Sequence, residues 1–428
     1  MPLFLFFGFG VLATLISNFI IFPSHRDTSV FRNNLEAITT LIAGVAFYLA
    51  ASYSVSDERQ LKKSLHWINI GGAFIIVLCF LQFFVWKFLG YYPDSLFGIQ
   101  GFLTMSNKLY EHRVTAVALE PSWVAHQLNL LYLPLWVAFS FKRVSIYKTL
   151  FLKKISIENI LLAGGLFSLF ATFSRIGWLT FLALLSYLFF RWANRKKLWV
   201  KNRFVFFQKI PAGLFALMYW VSIIFIIVLL GCCAVMAMRV FDSKRMASVF
   251  AFLAPGSLSL LAWANKIEMA ERFIYWGAAF YTFLAFPIFG VGLGNAGFFF
   301  ESHMHSFGYG SPEIMQKLLF DSSLVNAKNF WMRILAETGL MGFVCFVSWL
   351  YVHLKMSMKL EKSSANRLSE TLGLAGILLL ITFIFEGLSM DTFALPYFWI
   401  CFGLVLGVKR YTNFQEESET KNKRLIAG

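Results

Sequence analysis

The residues with chemistry to offer are few and far apart along the chain. "EHRVTAVALEPSWVAHQL" carries Arg113, Glu120 and His126, and "ATFSRIGW" carries Ser174 and Arg175. "KIEMAERFIYWGAAFYTFLAFPIFGVGLGN" carries Arg272, and "NAKNFWMRILAETGLMGF" carries Lys328 and Asn329. Arginine presents a planar fork of donors that fits phosphate oxygens two at a time, and lysine adds a compact cation. Arg113, Arg175, Arg272 and Lys328 come from four separate segments, so together they suggest a basic pocket for a diphosphate. Gly290, Gly292 and Gly294 do not make a dinucleotide cradle, which requires G-x-G-x-x-G between a strand and a helix. After Pro287 they read as a chain reversal that needs positive φ, with backbone N–H groups left to hold an anionic oxygen.

Positioning these residues falls to membrane helices. The chain has 428 residues, 58% apolar and 14% charged, with a mean hydropathy of +0.67, far from soluble composition. Stretches such as 3–22, 69–86 and 213–238 hold roughly 18 or more mostly apolar residues, enough to cross about 30 Å of hydrocarbon. Residues 1–22 read as a first span, because no basic n-region and no A-x-A-like site mark a cleaved signal.

A net charge of +16 would suggest nucleic acid in a soluble protein, but here its distribution matters more. Lysine and arginine collect in 55–66, 141–155, 191–210, 353–368 and the tail from Lys409, so the positive-inside rule places these loops and both termini in the cytoplasm. The alternation closes with about ten spans: 3–22, 35–54, 67–88, 122–140, 156–173, 176–190, 212–238, 330–352, 369–388 and 394–408. The expected fold is all-α and polytopic, a single transmembrane domain over 1–410 with a large extracytoplasmic loop at 239–329 and a shorter one at 89–121. The cytoplasmic tail 411–428 is polar enough for disorder. Cys79, Cys232, Cys233, Cys345 and Cys401 all fall in apolar spans and read as small hydrophobes.

Each polar residue also has a plainer reading. Arg175 suits a snorkelling anchor at the headgroups, and Glu120 before Pro121 suits a helix N-terminus. Glu337, about two turns into its span, needs a partner, and Arg333 lies on the same face. His303 and His305 in "ESHMHSFGYG" lack the third ligand that a metal site requires, so no metal is expected. What favours function is that the cations converge on one membrane face. A lipid diphosphate fits that face, its isoprenoid tail between helices and its head at the interface.

In this setting the sequence resembles the O-antigen polymerase and ligase family of bacterial envelope proteins. The resemblance rests on the stretch from Arg113 to "EPS", the "SRIGWL" turn, the run from Arg272 through "PIFGVGLGN", and "NFWMRILAETGLMGF", covering about 110–345. It implies a GT-C-like membrane glycosyltransferase of the outer side of the bacterial cytoplasmic membrane. The implied donor is an undecaprenyl-diphosphate-linked glycan, and neither cofactor nor metal is required. Family arginines of the "SR" turn and of the "R-x-x-Y-W" helix grip the diphosphate, which carries over to Arg175 and Arg272 as stabilisers of the leaving group.

One departure stands out: many members have His-Asn where this chain has Lys328-Asn329. Lysine is a poor base near neutral pH, so Lys328 serves in this reading as a further phosphate cation. Glu120, His303 or His305 then activates the acceptor hydroxyl, with Glu120 favoured. The catalytic set is accordingly Glu120, Arg175, Arg272, Lys328 and His305; the substrate-binding set is Arg113, Ser174, Tyr275, Gly292, Gly294, Asn295 and Asn329. A polymerase joining lipid-linked repeat units of O-antigen, capsule or exopolysaccharide is the preferred function. A ligase delivering glycan to lipid A-core or protein is the alternative. A transporter or flippase fits less well, since charges within the spans are sparse. The bilayer, a glycan acceptor, a flippase and a chain-length regulator are the expected partners, and nucleic acid is not among them.

Overall fold

In the computed structural model the described backbone covers residues 2–26, 28–104, 108–147, 155–204, 210–241, 262, 264–265, 269–311, 314–316, 324–363 and 366–427. Lys148, Lys153, Lys154 and Lys209 of the basic loops lie outside it, as does 242–261 of the large loop. The described residues form helices and no named strand, in keeping with the all-α expectation.

In chain order the helices are α1 (Pro2–Ile16), α2 (Val30–Tyr53), α3 (Glu58–Leu89), α4 (Asp94–Leu103) and α5 (Pro121–Gln127). They continue with α6 (Leu133–Lys142), α7 (Ile157–Ala171), α8 (Arg175–Arg203), α9 (Ala212–Phe241) and α10 (Ala270–Ala285). The last four are α11 (Phe300–His303), α12 (Phe330–Lys362), α13 (Arg367–Glu386) and α14 (Pro396–Ala427). A π-helical turn, Leu128–Tyr132, joins α5 to α6.

Among the described residues eight helices are long and apolar enough to cross a membrane, so the chain is a multi-pass membrane protein. Two of the ten expected spans differ. The fifth is α7, apolar but only 15 residues long, about 22 Å of helix. The tenth is the apolar start of the 32-residue α14, which runs through the tail expected to be disordered. Nothing in "YTNFQEESETKNKRLIA" breaks a helix, having neither Gly nor Pro before its end, and the apolar first half supplies the nucleus.

The chain divides into two compact units. One comprises Met1–Thr180, Tyr275–His305 and Gln316–Gly428. Its inner helix is α13, which packs on α6, α12 and α14 and is the second most buried span after that of α5 and α6. Small residues let large ones in: Trp136 of α6 lies against Gly72 of α3 and Gly165 of α7, where added Cβ atoms would meet it at 2.8 and 2.6 Å. An aromatic cluster of Phe330, Phe346, Phe383, Phe393 and Phe398 fills the space between α12, α13 and α14. The second unit, Phe181–Ile274 with Ser306–Met315, holds most of α8 together with α9, joined by stacking of Phe190 on Trp220 and by the Tyr219 hydroxyl donating to Ala193 O at 2.6 Å.

Candidate functional site

The turn between α7 and α8 is built tightly enough to aim its side chains. Phe173 takes a positive φ of 48°, Thr172 Oγ1 accepts from Ser174 N at 3.2 Å, and Ser174 Oγ accepts from Gly177 N at 3.4 Å. Ser174 is thereby buried and caps α8, whose first residue is Arg175. Arg113 joins this turn from the preceding loop: its Nε donates to Thr172 O at 2.9 Å, and Val114 N donates to Ala171 O at 3.1 Å. Arg113, Ser174 and Arg175 are therefore brought together, with the start of a long helix beside the Arg113 guanidinium. Both features suit an anion.

A second set of polar groups lies one layer inside, and sequence reasoning did not assign it a role. His126 of α5 shares a hydrogen bond of 2.5 Å, through Nδ1, with Oε2 of Glu386 at the end of α13. Asn129 Nδ2 donates to Oε1 of the same carboxylate at 2.5 Å and to Gly177 O at 2.9 Å. His126, Asn129 and Glu386 are all buried. Asn129 sits in the π-helical turn, whose extra residue rotates its side chain relative to α5. The signal was present in the sequence: three strongly polar residues within two mostly apolar spans, and Pro134 in the span that holds His126 and Asn129.

α13 also touches the third part of the site. Gly387 O accepts from Phe330 N at 2.7 Å, and Asp391 Oδ2 accepts from Lys328 N at 2.9 Å. Lys328 takes φ 45°, and Asn329 caps α12 by accepting from Trp331 N and Met332 N at 2.9 and 3.1 Å. That left-handed residue turns the Lys328 side chain back over the ring of Tyr275, with Nζ 5.2 Å from the centroid. The Arg333–Glu337 pairing expected from helix spacing is present, with Nε 3.0 Å from each carboxylate oxygen. It balances the buried carboxylate, and Lys328 stands at the entrance of α12.

The glycine turn has a different role in the structure. Gly290, Gly292 and Gly294 have φ of 69°, 86° and 82°, as the sequence required of a reversal. Its N–H groups are already engaged: Gly290 N on Phe286 O, Val291 N on Ala336 O, Gly292 N on Glu337 O, Leu293 N on Thr14 Oγ1, Gly294 N on the Glu337 carboxylate and Asn295 N on Gly292 O. The donors expected to hold an anionic oxygen are thus taken up within the turn and by α1 and α12. α12 receives the turn with a break of its own at Gly339, φ 62° and ψ −166°. A Cβ on Gly290 would stand 2.6 Å from Ala336 O, and one on Gly339 would stand 2.7 Å from Gly290 N. Asn295 is buried and donates to Asn34 Oδ1 at 2.7 Å.

The other sequence-selected residues stand as follows. Glu120 is exposed at the N-cap of α5, where it accepts from Ser122 Oγ at 3.1 Å. His303 stacks on Phe299, and its Nδ1 lies 2.9 Å from Thr282 Oγ1; burial pushes its pKa down. His305 is exposed two residues beyond α11. Arg272 stands in the first turn of α10 and belongs to the second unit. Among the described residues no group of three or more His, Cys, Asp or Glu converges on a metal position.

Residues 160–347 match the family model described as O-antigen ligase, Wzy_C. That stretch contains the "SR" turn, the α10 helix, the glycine turn and the start of α12, so the chain is similar to the O-antigen ligase family over the motifs that suggested it. No curated protein matches the chain.

Proposed function

For this membrane protein, whose residues 160–347 match the O-antigen ligase family model, we propose that it polymerises undecaprenyl-diphosphate-linked oligosaccharide units at the outer face of the bacterial cytoplasmic membrane. The observation that carries this reading is the meeting of three groups of residues around the end of α13. The Arg113–Ser174–Arg175 corner, the His126–Asn129–Glu386 layer and the Lys328–Asn329 entrance of α12 are all linked through Glu386 and Gly387. In the proposed reaction an acceptor sugar hydroxyl attacks the anomeric carbon of the lipid-linked glycan. The sugar–phosphate bond breaks, and the electron pair leaves with the diphosphate. Arg113, Arg175 and Lys328 meet that developing charge with positions already fixed by the fold. Arg272 is assigned to the diphosphate by its sequence motif alone, while the exposed Glu120 and His305 are assigned to hydrogen bonds with the acceptor.

The basic loops place both termini in the cytoplasm in this reading, so the site opens outward, where a flippase would present donor and a chain-length regulator would act on product. A ligase that delivers glycan to lipid A-core or protein is the second reading, favoured by the description of the matched family.

The test is incubation of the purified protein with lipid-linked oligosaccharide isolated from its host, without a second acceptor, followed by electrophoresis of the glycan. A ladder that disappears in Arg175→Ala and Arg272→Ala supports the polymerase. Intact donor that is consumed only on adding lipid A-core or acceptor protein supports the ligase. Normal ladders from both arginine variants refute the diphosphate pocket.

A further inference from the structure

We infer that His126, oriented by Glu386, is the base that removes the proton from the acceptor hydroxyl; the inference rests on the glycosyl-transfer reading above. Arginine and protonated lysine have no lone pair to take a proton, so the cations of the site cannot fill this role. Three other acidic or imidazole groups are otherwise committed. Glu337 is held by both oxygens on Arg333, His303 is placed between Thr282 and Phe299, and Glu120 is exposed at a helix start with Ser122 on its carboxylate.

His126 differs in three respects. Its Nδ1 faces the Glu386 carboxylate at 2.5 Å, which fixes that nitrogen as the protonated one. Its Nε2 makes no hydrogen bond among the described residues and keeps a lone pair for a hydroxyl. Its position is set by close packing: Ala125, the residue before it, touches Gly177, where an added Cβ would stand 2.7 Å from the Ala125 Cβ, so α5 packs against the first turn of α8.

The Glu386 carboxylate is in turn held by Asn129, which is itself anchored on Gly177 O. One oxygen therefore serves the imidazole while the other is fixed to the α8 turn. A buried carboxylate with two well-placed partners is costly to keep inside a bundle, and such groups in membrane spans usually mark function. In the step itself Nε2 takes the hydroxyl proton as the oxygen forms its bond to the anomeric carbon. The diphosphate leaves with the electron pair of the broken C–O bond. Glu386 stabilises the imidazolium, which then returns its proton to water.

The experiment measures release of polyprenyl diphosphate by the full-length protein from lipid-linked oligosaccharide isolated from its host. His126→Gln should reduce the maximal rate by about 10²- to 10⁴-fold, the usual worth of a general base, with the donor KM within about threefold of wild type. Glu386→Gln should lose most of the rate, and Glu386→Asp should recover part of it. Sodium azide carries no proton to remove, so it should restore release in His126→Gln, yielding glycosyl azide. His126→Gln within about fivefold of wild type, or no restoration by azide, overturns the base while the proposed reaction stands. A wild-type protein that leaves the donor intact, with or without acceptor, overturns the reaction and the base with it.

Discussion

Gly339→Ala is the substitution whose cost the structure allows to be worked most fully. Gly339 interrupts α12 at φ 62° and ψ −166°, a conformation essentially confined to glycine. Holding alanine there costs about 1–3 kcal/mol of backbone strain. The new methyl would also press on the Ile288 carbonyl and stand 2.7 Å from Gly290 N, forcing the glycine turn away from α12. That movement endangers four backbone hydrogen bonds: Val291 N to Ala336 O, Gly292 N to Glu337 O, Leu340 N to Pro287 O and Met341 N to Ile288 O, at 3.0, 2.9, 2.8 and 3.3 Å. Losing two of them adds roughly 2–3 kcal/mol, for a total of about 3–6 kcal/mol.

Scaled to a chain of this length, the melting temperature should fall by on the order of 5 °C. The assay is thermal unfolding of the detergent-purified protein followed by tryptophan fluorescence, with Gly8→Ala as control. Gly8 lies inside α1 with nothing within 4 Å of an added Cβ, so its substitution should leave the melting temperature unchanged or raise it slightly. Because the turn follows directly on α10, Gly339→Ala should also displace Tyr275 from Lys328 and lower glycan transfer. A Gly339→Ala protein melting within about 1 °C of wild type would refute the argument that two backbones meet here only because both sides are glycine.

Three further outcomes follow from the same geometry. Asn329→Ala removes the acceptor for Trp331 N and Met332 N and should cost about 1–2 kcal/mol in thermal unfolding, while Asn329→Asp keeps the cap and the stability. Lys328→Asn should keep the melting temperature, since asparagine accepts the left-handed φ of 45°, but should slow glycan transfer by about 10- to 100-fold through loss of a charge-assisted contact. His303, whose pKa burial depresses below 6.5, favours the neutral form when folded. The unfolded chain then binds the proton first, so stability should decline as pH falls below about 6.5. Melting curves of His303→Gln should show a smaller decline over that range.

Much of the architecture is legible in composition and charge. An apolar stretch of sufficient length has little choice but to form a helix in lipid, and basic loops mark alternate ends, so eight of ten expected spans appear as long apolar helices. The short α7 and the continuous α14 were misjudged because hydropathy reports where a helix is apolar and does not report where its hydrogen-bond ladder stops. Local rules held where both partners lay on one element. Arg333 and Glu337 are four residues apart on a helix, and Pro121 after Glu120 starts one.

The sequence by itself determined the class of the protein, the positions of its spans, the need for a reversal at Gly290–Gly294 and the candidate cations Arg113, Arg175, Arg272 and Lys328. Only the tertiary structure decided that the reversal docks on a break in α12, that Arg113 reaches the α7–α8 turn, and that His126, Asn129 and Glu386 form one layer behind it. The difference is one of range. Helix formation and membrane length are governed by neighbours within a few residues, whereas the Glu386–His126 bond joins groups 260 positions apart. Its energy exists only once α5 and α13 have packed together.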